Sequence, residues 1–337
     1  MTTMRAARLN VPTRSLELVE VPRPVPGPGE VLVKVAAAGV CLSDVHLIEG
    51  MLTPLHLEGD TVTLGHETSG TVEEVGEGAG AWKPGDRVLL QAGQLTPQGR
   101  VLTRGVDYDG GWADYALASA HTLVAIPDDL PFEQAAIIPD AVSTPWAAIT
   151  ATAAVRPAEA VGVWGIGGLG AHAVQLLRLI GAAPIIAVDP LAEARERAEA
   201  FGADVVLDPG AEDFASRIRA ATGGRGLAAA FDFAGVPAVR EQAVACLGQG
   251  GRLVLVGLTD RPLTIADGTR FSYLGQKVLG HYGSVDTHVV ELVRLAGAKR
   301  LDLARSISDV LPLDDVAEAV RRLQDHDGSP VRLILRP

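Results

Sequence analysis

Two short runs hold side chains that could do chemistry together: GVCLSDVH at 39–46 and LGHETSG at 64–70. In the first, Cys41 stands two residues before Ser43, three before Asp44 and five before His46. A thiol, a hydroxyl, a carboxylate and an imidazole at that spacing suit a loop that grips a metal. They suit a strand end with polar side chains equally, because a lone cysteine is most often buried packing. Ser43 and Asp44 also read as the cap of a short following helix. In the second run His66 and Glu67 lie between an apolar residue and a glycine-bearing strand. Taken singly, such a histidine reads first as a satisfied structural side chain.

A third run, EAVGVWGIGGLGAHAVQLLRLIGA, places Gly165, Gly167 and Gly170 in GxGxxG spacing between an apolar strand and a helix, with Gly168 and Leu169 inside the turn. The first glycine permits the tight turn, the second lets backbone approach a pyrophosphate, and the third lets helix pack on strand. The helix N-terminus then offers unsatisfied N–H groups to the phosphates. An acidic residue, Asp189 in PIIAVDP, ends the next strand, 24 positions after Gly165. A carboxylate there accepts hydrogen bonds from the adenosine ribose hydroxyls and repels a 2'-phosphate, which favours NAD over NADP. The competing reading of Asp189 is a cap for the helix after Pro190.

These residues need elements to hold them, and the chain supplies them in three regions. Up to about residue 140, EVLVKVAAAGV, GTVEEVGEG and KPGDRVLLQ are strand signals broken by glycine and proline turns, which predicts a compact β domain with barrel character. Near residue 133 the pattern changes. EQAAIIPDAVSTPWAAITATAAV is predicted largely helical, bent or broken at Pro139 and Pro145. From Ala158 to about His281, apolar runs (EAVGVWG, PIIAVD, ADVVLD, LAAAFDFAG, GRLVLVG, QKVLGHYG) alternate with helical ones, the signature of a doubly wound parallel sheet. The remainder has two helical patterns and a last strand, VRLILRP. Residues 91–111 are expected to form the longest loop, and Trp82 to pack under the turn that follows it.

Composition bounds the partners. The chain has 337 residues, enough for about two domains, with 47% hydrophobic and 21% charged side chains. A formal charge of −12 without a basic run argues against nucleic acid and anionic membranes. Cys41 and Cys246 are too few for a disulfide scaffold, which fits a reducing compartment. The start lacks an apolar leader pattern, and no stretch approaches the ~18 apolar residues of a membrane span, so the expected location is cytoplasmic.

Taken together, GVCLSDVH, LGHETSG and the glycine turn resemble the zinc-dependent medium-chain dehydrogenase/reductase superfamily, the alcohol dehydrogenase family, nearly end to end. The resemblance implies a GroES-like catalytic domain at 1–143, a Rossmann NAD-binding domain at 144–281 and a return to the catalytic domain at 282–337. It implies Cys41 and His66 as ligands of one catalytic zinc, with Glu67 an occasional ligand. The third ligand in many members is a cysteine; here that place, in AAIIPDAVSTPW, holds Asp140. It looks like the Asp variant of some bacterial secondary alcohol dehydrogenases. One thiolate and one carboxylate still balance Zn2+, and an oxygen ligand keeps the metal at least as Lewis acidic. The alternative for Asp140 is a cap beside Pro139.

By the same resemblance Ser43 hydrogen-bonds the substrate alcohol, His46 ends a proton relay through the nicotinamide ribose, and Asp44 orients the zinc histidine. Thr144 stands beside the nicotinamide, the loop residues Gly168 and Leu169 and Val256 at the end of a Rossmann strand also contact the cofactor, and Arg332 reaches the pyrophosphate. Leu42 replaces a residue that is often basic. The four-cysteine lobe of many relatives is absent from 91–111, so one zinc per chain is expected, with Tyr108 and Trp112 anchoring that loop. Leu52, Ala92 and Trp146 fall near substrate-lining positions. Ala92 is small where some relatives place an aromatic, which admits a bulkier, secondary alcohol or ketone unless another loop refills the space. A homodimer or homotetramer is expected. The alternatives are a zinc-free, NADPH-dependent quinone or enone reductase of the same superfamily and a catalytically silent cofactor-binding relative.

Overall fold

The computed structural model describes residues 2–96 and 98–337. The chain forms two compact units, one comprising the residues up to Ala141 together with Val285–Pro337, the other Val142–Ser284.

In the first unit the strand Glu30–Val40 is the organiser. Val31, Leu32, Val33 and Val35 are buried, and Lys34 is the strand's one exposed residue. It pairs antiparallel with Thr68–Val75, Tyr115–Ser119 and Arg332–Arg336. Arg87–Leu90, Leu123–Ala125 and Ile307–Pro312 extend the same sheet. A smaller sheet joins Ser15–Pro22, Thr3–Asn10 and Thr61–Thr63. Register explains why two distant runs meet. Ala38 lies opposite Thr68, and the Gly39 N–H donates to the Glu67 carbonyl at 2.8 Å. Running on past that pair, one strand delivers Cys41 and the other is entered from His66.

Residues 91–111, expected as a long loop, contain a short ribbon. Gly93–Leu95 and Val101–Thr103 pair as an antiparallel ribbon, with Leu95 opposite Val101. Three-residue strands are too short to show periodicity in sequence. Buried Arg104 holds the base of the ribbon, donating to the carbonyls of Gln91 at 3.3 Å and Leu117 at 3.0 Å. Its guanidinium also lies over the Tyr108 ring, 5.1 Å from the centroid. Trp112 is fully buried and donates its indole N–H to the Gly39 carbonyl at 2.9 Å. Its ring fills the space above Gly65, where a Cβ would lie 2.3 Å from it. Trp82 donates to the Ala120 carbonyl at 3.0 Å and packs on the core beside the Lys83–Asp86 turn.

The helical stretch after Pro131 runs as Phe132–Ala136, a wide π turn Ile138–Val142, Ser143–Ala147 and a second wide turn Ala148–Thr152. Pro139 has no N–H to continue a regular ladder, and the widened turn is how the chain absorbs it.

The second unit contains a six-stranded parallel sheet in the order Val205–Leu207, Ile185–Val188, Val161–Trp164, Leu227–Asp232, Leu247–Leu255, Lys277–Gly280. Val161–Trp164 and Ile185–Val188 are buried at every residue, as expected of strands covered on both faces. From Val161–Trp164 the chain first winds one way, then returns to the other side, so the order reverses beside this strand. Such a switch point opens a crevice at the carboxyl ends of the strands. Among the described residues no helix is long and apolar enough to cross a membrane.

Candidate functional site

In the first unit, the donor atoms of Cys41, His66, Glu67 and Asp140 all lie within 4.8 Å of one another. Cys41 caps the helix Leu42–Glu49, His66 precedes the strand Thr68–Val75, and Asp140 sits on the wide turn Ile138–Val142. The Cys41 Sγ is 3.4 Å from Asp140 Oδ2, and His66 Nε2 is 3.5 Å from the same oxygen. Ligands bound tetrahedrally at zinc distances are separated by about 3.3–3.7 Å, so these edges fit one ion.

The surroundings prepare the donors. Asp44 accepts from the Cys41 backbone N–H at 2.9 Å through one oxygen and faces His66 Nδ1 at 3.4 Å with the other. A proton on Nδ1, facing that carboxylate, would direct the Nε2 lone pair toward Cys41 and Asp140, the tautomer a metal-binding imidazole needs. Ser43 Oγ lies 3.4 Å from His66 Nε2. Ser43 and His46 are three residues apart on the helix Leu42–Glu49 and share a face.

Glu67 is fully buried. Its Oε1 accepts from the Ala141 N–H at 3.0 Å and from Arg332 Nη2 at 2.8 Å, which holds the segment carrying Asp140. Its Oε2 has no hydrogen-bond partner among the described residues. A Cβ on Gly39 would lie 2.0 Å from that oxygen, so only glycine admits this carboxylate. An unsatisfied buried carboxylate oxygen among thiol, imidazole and carboxyl donors is a polar arrangement that a divalent cation completes.

Charge in this space is strongly coupled. Burial pushes the Glu67 carboxyl up to about 7, with Arg332 pulling down and Asp140 adding to the rise. Burial lowers the proton affinity of His66, but Asp44, Asp140 and Cys41 outweigh it and hold the imidazole well above its ordinary value. Burial lowers His46, opposed by Glu49.

Arg332 packs beneath the donors. Expected at a pyrophosphate, it is 2% exposed in the first unit, with Nη2 also 3.5 Å from Cys41 Sγ and 3.5 Å from Asp140 Oδ2. Its strand runs antiparallel to Glu30–Val40, with Leu333 opposite Val40, which carries the guanidinium beneath the donors. Leu42, at the position that is often basic, is 38% exposed; of the residues expected near substrate, Leu52 packs against the core and Ala92 takes the Arg104 N–H on its carbonyl at 2.8 Å.

In the second unit the glycine turn has the geometry its spacing requires. Gly165 has φ +85°, and Gly167 caps the helix Gly168–Ile180. A Cβ on Gly170 would lie 1.8 Å from the Gly165 carbonyl oxygen, whereas one on Gly167 would meet nothing within 4 Å. Gly170 therefore serves packing and Gly167 borders open space at a helix N-terminus, the place for a phosphate. Leu169 lies in the first turn of that helix.

Asp189 ends its strand with both carboxylate oxygens engaged, accepting from the N–H of Ile166 at 2.8 Å and of Leu191 at 2.9 Å. It thus ties the glycine turn to the start of the next helix, and the capping reading and an acidic edge beside the turn hold together. Val256 follows Leu247–Leu255 and donates its N–H to the Asp232 carbonyl at 3.0 Å. Thr144 is buried, and Trp146 lies two residues further along the same helical turn.

Sequence reading missed a buried ion pair that shapes this edge. Asp232 binds Arg240 Nε at 2.7 Å and accepts from the N–H groups of Ala234 and Gly235. Arg240 also reaches the Gly257 carbonyl at 2.7 Å. The available signal was a second strand-ending aspartate, FDFAG, matching AVDP earlier in the same unit.

Residues 27–128 match the model of the alcohol dehydrogenase GroES-like domain, and residues 168–298 that of the zinc-binding dehydrogenase domain. An alcohol dehydrogenase of Geobacillus stearothermophilus is 34% identical over 335 residues, covering 95% of this chain and 96% of the relative. A 2R,3R-butanediol dehydrogenase from Bacillus subtilis superposes with TM-score 0.90 at 27% identity, covering 99% of each chain. An acetophenone reductase from Geotrichum candidum, solved with NAD, gives 0.87 at 27% identity, covering 99% of this chain and 97% of that one. A GroES-like β unit with converging metal donors and a parallel α/β unit with a dinucleotide turn define an oxidoreductase, and the chain belongs to the zinc-dependent medium-chain dehydrogenase/reductase superfamily.

Proposed function

We propose that this chain is a zinc- and NAD-dependent alcohol dehydrogenase acting between a secondary or bulky alcohol and its ketone. The observation that carries the reading is the convergence of Cys41, His66, Glu67 and Asp140 within 4.8 Å. Cys41, His66 and Asp140 would hold the zinc, and Glu67 is placed as a reserve ligand. Such a zinc supplies Lewis acidity toward a substrate oxygen, and NAD supplies the hydride acceptor. The chain's own residues do the rest. The Ser43 hydroxyl, beside His66 Nε2, would take the substrate proton, and half-buried His46, on the same helix face, would exchange the relayed proton with solvent. Asp44 keeps His66 in its donor tautomer, and Arg332 offsets the charge of the anionic donors.

Asp189 supports NAD over NADP, since a 2'-phosphate beside its carboxylate meets like charge. Secondary-alcohol preference is supported by small Ala92 and by the names of two structural neighbours, a butanediol dehydrogenase and an acetophenone reductase. The remaining expectations, a cytoplasmic homodimer or homotetramer, draw support from two free cysteines and from the edge strand Lys277–Gly280.

The test is metal analysis of chelator-free protein together with NAD reduction on a panel of alcohols. About one zinc per chain and faster turnover of secondary than primary alcohols are expected. Asp140→Ala should lose zinc and at least a hundredfold of activity, while Asp140→Cys, which restores a thiolate, should retain both within about tenfold. Wild-type protein free of zinc and reducing quinones or enones with NADPH would mark the zinc-free branch of the superfamily instead.

A further inference from the structure

We propose that His281 is a positioning residue for the nicotinamide half of the cofactor, a role that rests on reading the second unit as an NAD-binding fold. His281 follows the strand Lys277–Gly280, and its N–H donates to the Leu255 carbonyl at 3.0 Å, so it lies at the carboxyl edge of the parallel sheet. That edge is where dinucleotides lie. The acidic residue for the adenosine ribose, Asp189, is on the Ile185–Val188 side of the glycine turn. The other half of a dinucleotide crossing the turn must extend over the ends of Leu227–Asp232, Leu247–Leu255 and Lys277–Gly280, and His281 stands at the far end of that series.

The imidazole is held at both nitrogens. Nε2 is 3.0 Å from the Thr144 carbonyl oxygen and Nδ1 is 2.9 Å from Thr152 Oγ1. A carbonyl only accepts, so Nε2 carries the proton and Nδ1 accepts from the Thr152 hydroxyl. One ring thus pins both ends of the helical stretch from Thr144 to Thr152, which holds a wide turn at Ala148–Thr152 and so lacks a regular ladder of its own there. A second tie runs alongside, with Ser284 Oγ donating to Ser143 Oγ at 2.8 Å. Together they hold this stretch against the edge the nicotinamide half must cross. His281 need not touch the cofactor; it acts through the backbone of Thr144.

The experiment compares NADH with ADP-ribose, which lacks the nicotinamide, as ligands of the full-length protein carrying His281→Leu, His281→Gln or Thr152→Val. For His281→Leu, NADH affinity should fall about tenfold, the worth of one to two net hydrogen bonds, with ADP-ribose affinity unchanged within about twofold. His281→Gln, whose amide N–H can replace the Nε2 donor, should recover most of the NADH affinity. Thr152→Val should show a smaller loss, about threefold, again confined to NADH. Parallel weakening of both ligands makes His281 a structural side chain only and overturns the proposal, as does an unaltered NADH affinity. The Gln and Val variants decide the matter if His281→Leu does not fold. Wild-type protein that binds neither ligand sinks the cofactor reading itself, and the positioning role with it.

Discussion

Cys41, Asp44, Glu67 and Asp140 share one largely buried space with His66 and Arg332, so protons decide how that space is charged when no metal neutralises it. The Glu67 carboxyl is raised from 4.5 to about 7, which means the folded metal-free chain keeps a proton that the unfolded chain gives up. The stability this confers is complete below about pH 4.5 and is lost as pH rises to about 7, an effect on the order of 3 kcal/mol. His66, also raised, works in the same direction, because its contribution is complete below 6.5 and disappears as pH climbs through its folded value. Zinc reverses the trend, since it binds the deprotonated donors. The gap in melting temperature between zinc-loaded and chelator-stripped protein should therefore widen steadily from pH 5 to pH 8. A gap of constant size in a series of thermal melts would contradict this charge arrangement.

The glycine turn separates two duties that look alike in sequence. Gly170→Ala drives a Cβ to 1.8 Å from the Gly165 carbonyl and should cost about 1–3 kcal/mol of stability in denaturant melts. Gly167→Ala, with φ −83° and nothing within 4 Å, should melt like wild type yet bind NADH at least about tenfold more weakly, because the methyl enters the space a phosphate needs. Equal losses of stability in the two variants would show that Gly167 also serves packing. This motif was legible because strand, turn and helix are contiguous, and steric demand fixes glycine at fixed offsets. The strands and helices of the parallel sheet were legible for a similar reason, since buried β runs and amphipathic helices each carry a local pattern. Cys41, His66 and Asp140 could be picked out by type and by resemblance. What joins them, the antiparallel register of Ala38 with Thr68, is not written in either run. The contacts of Arg332 with Glu67 and Cys41 were not legible either, because strand pairing, not spacing, determines what lies beneath the donors. The Gly93–Leu95 and Val101–Thr103 ribbon, the Asp232–Arg240 pair and the His281 ties escaped notice because each depends on partners distant in sequence or on strands too short to show a period.

At the scale of the whole molecule, one unit is contiguous and the other is not. Val142–Ser284 contains its entire parallel sheet and its own core of Trp164, Ile186, Val188, Leu227 and Leu253. The first unit is assembled from both ends of the chain, with Arg332–Arg336 paired to Glu30–Val40 on one side and to Ile307–Pro312 on the other. A fragment of residues 142–284 should therefore melt cooperatively by circular dichroism, whereas residues 1–141 should not, because the Ala38–Val40 end of the strand loses its partner and becomes an open edge prone to association. A cooperative transition from the 1–141 fragment would refute this division of labour. The same topology orders events during synthesis. Arg332 enters 291 residues after Cys41, so a chain emerging from the ribosome presents its thiol, imidazole and carboxyl groups long before the guanidinium that balances them. A stalled or shortened translation product therefore carries those anionic donors without the cation that neighbours them.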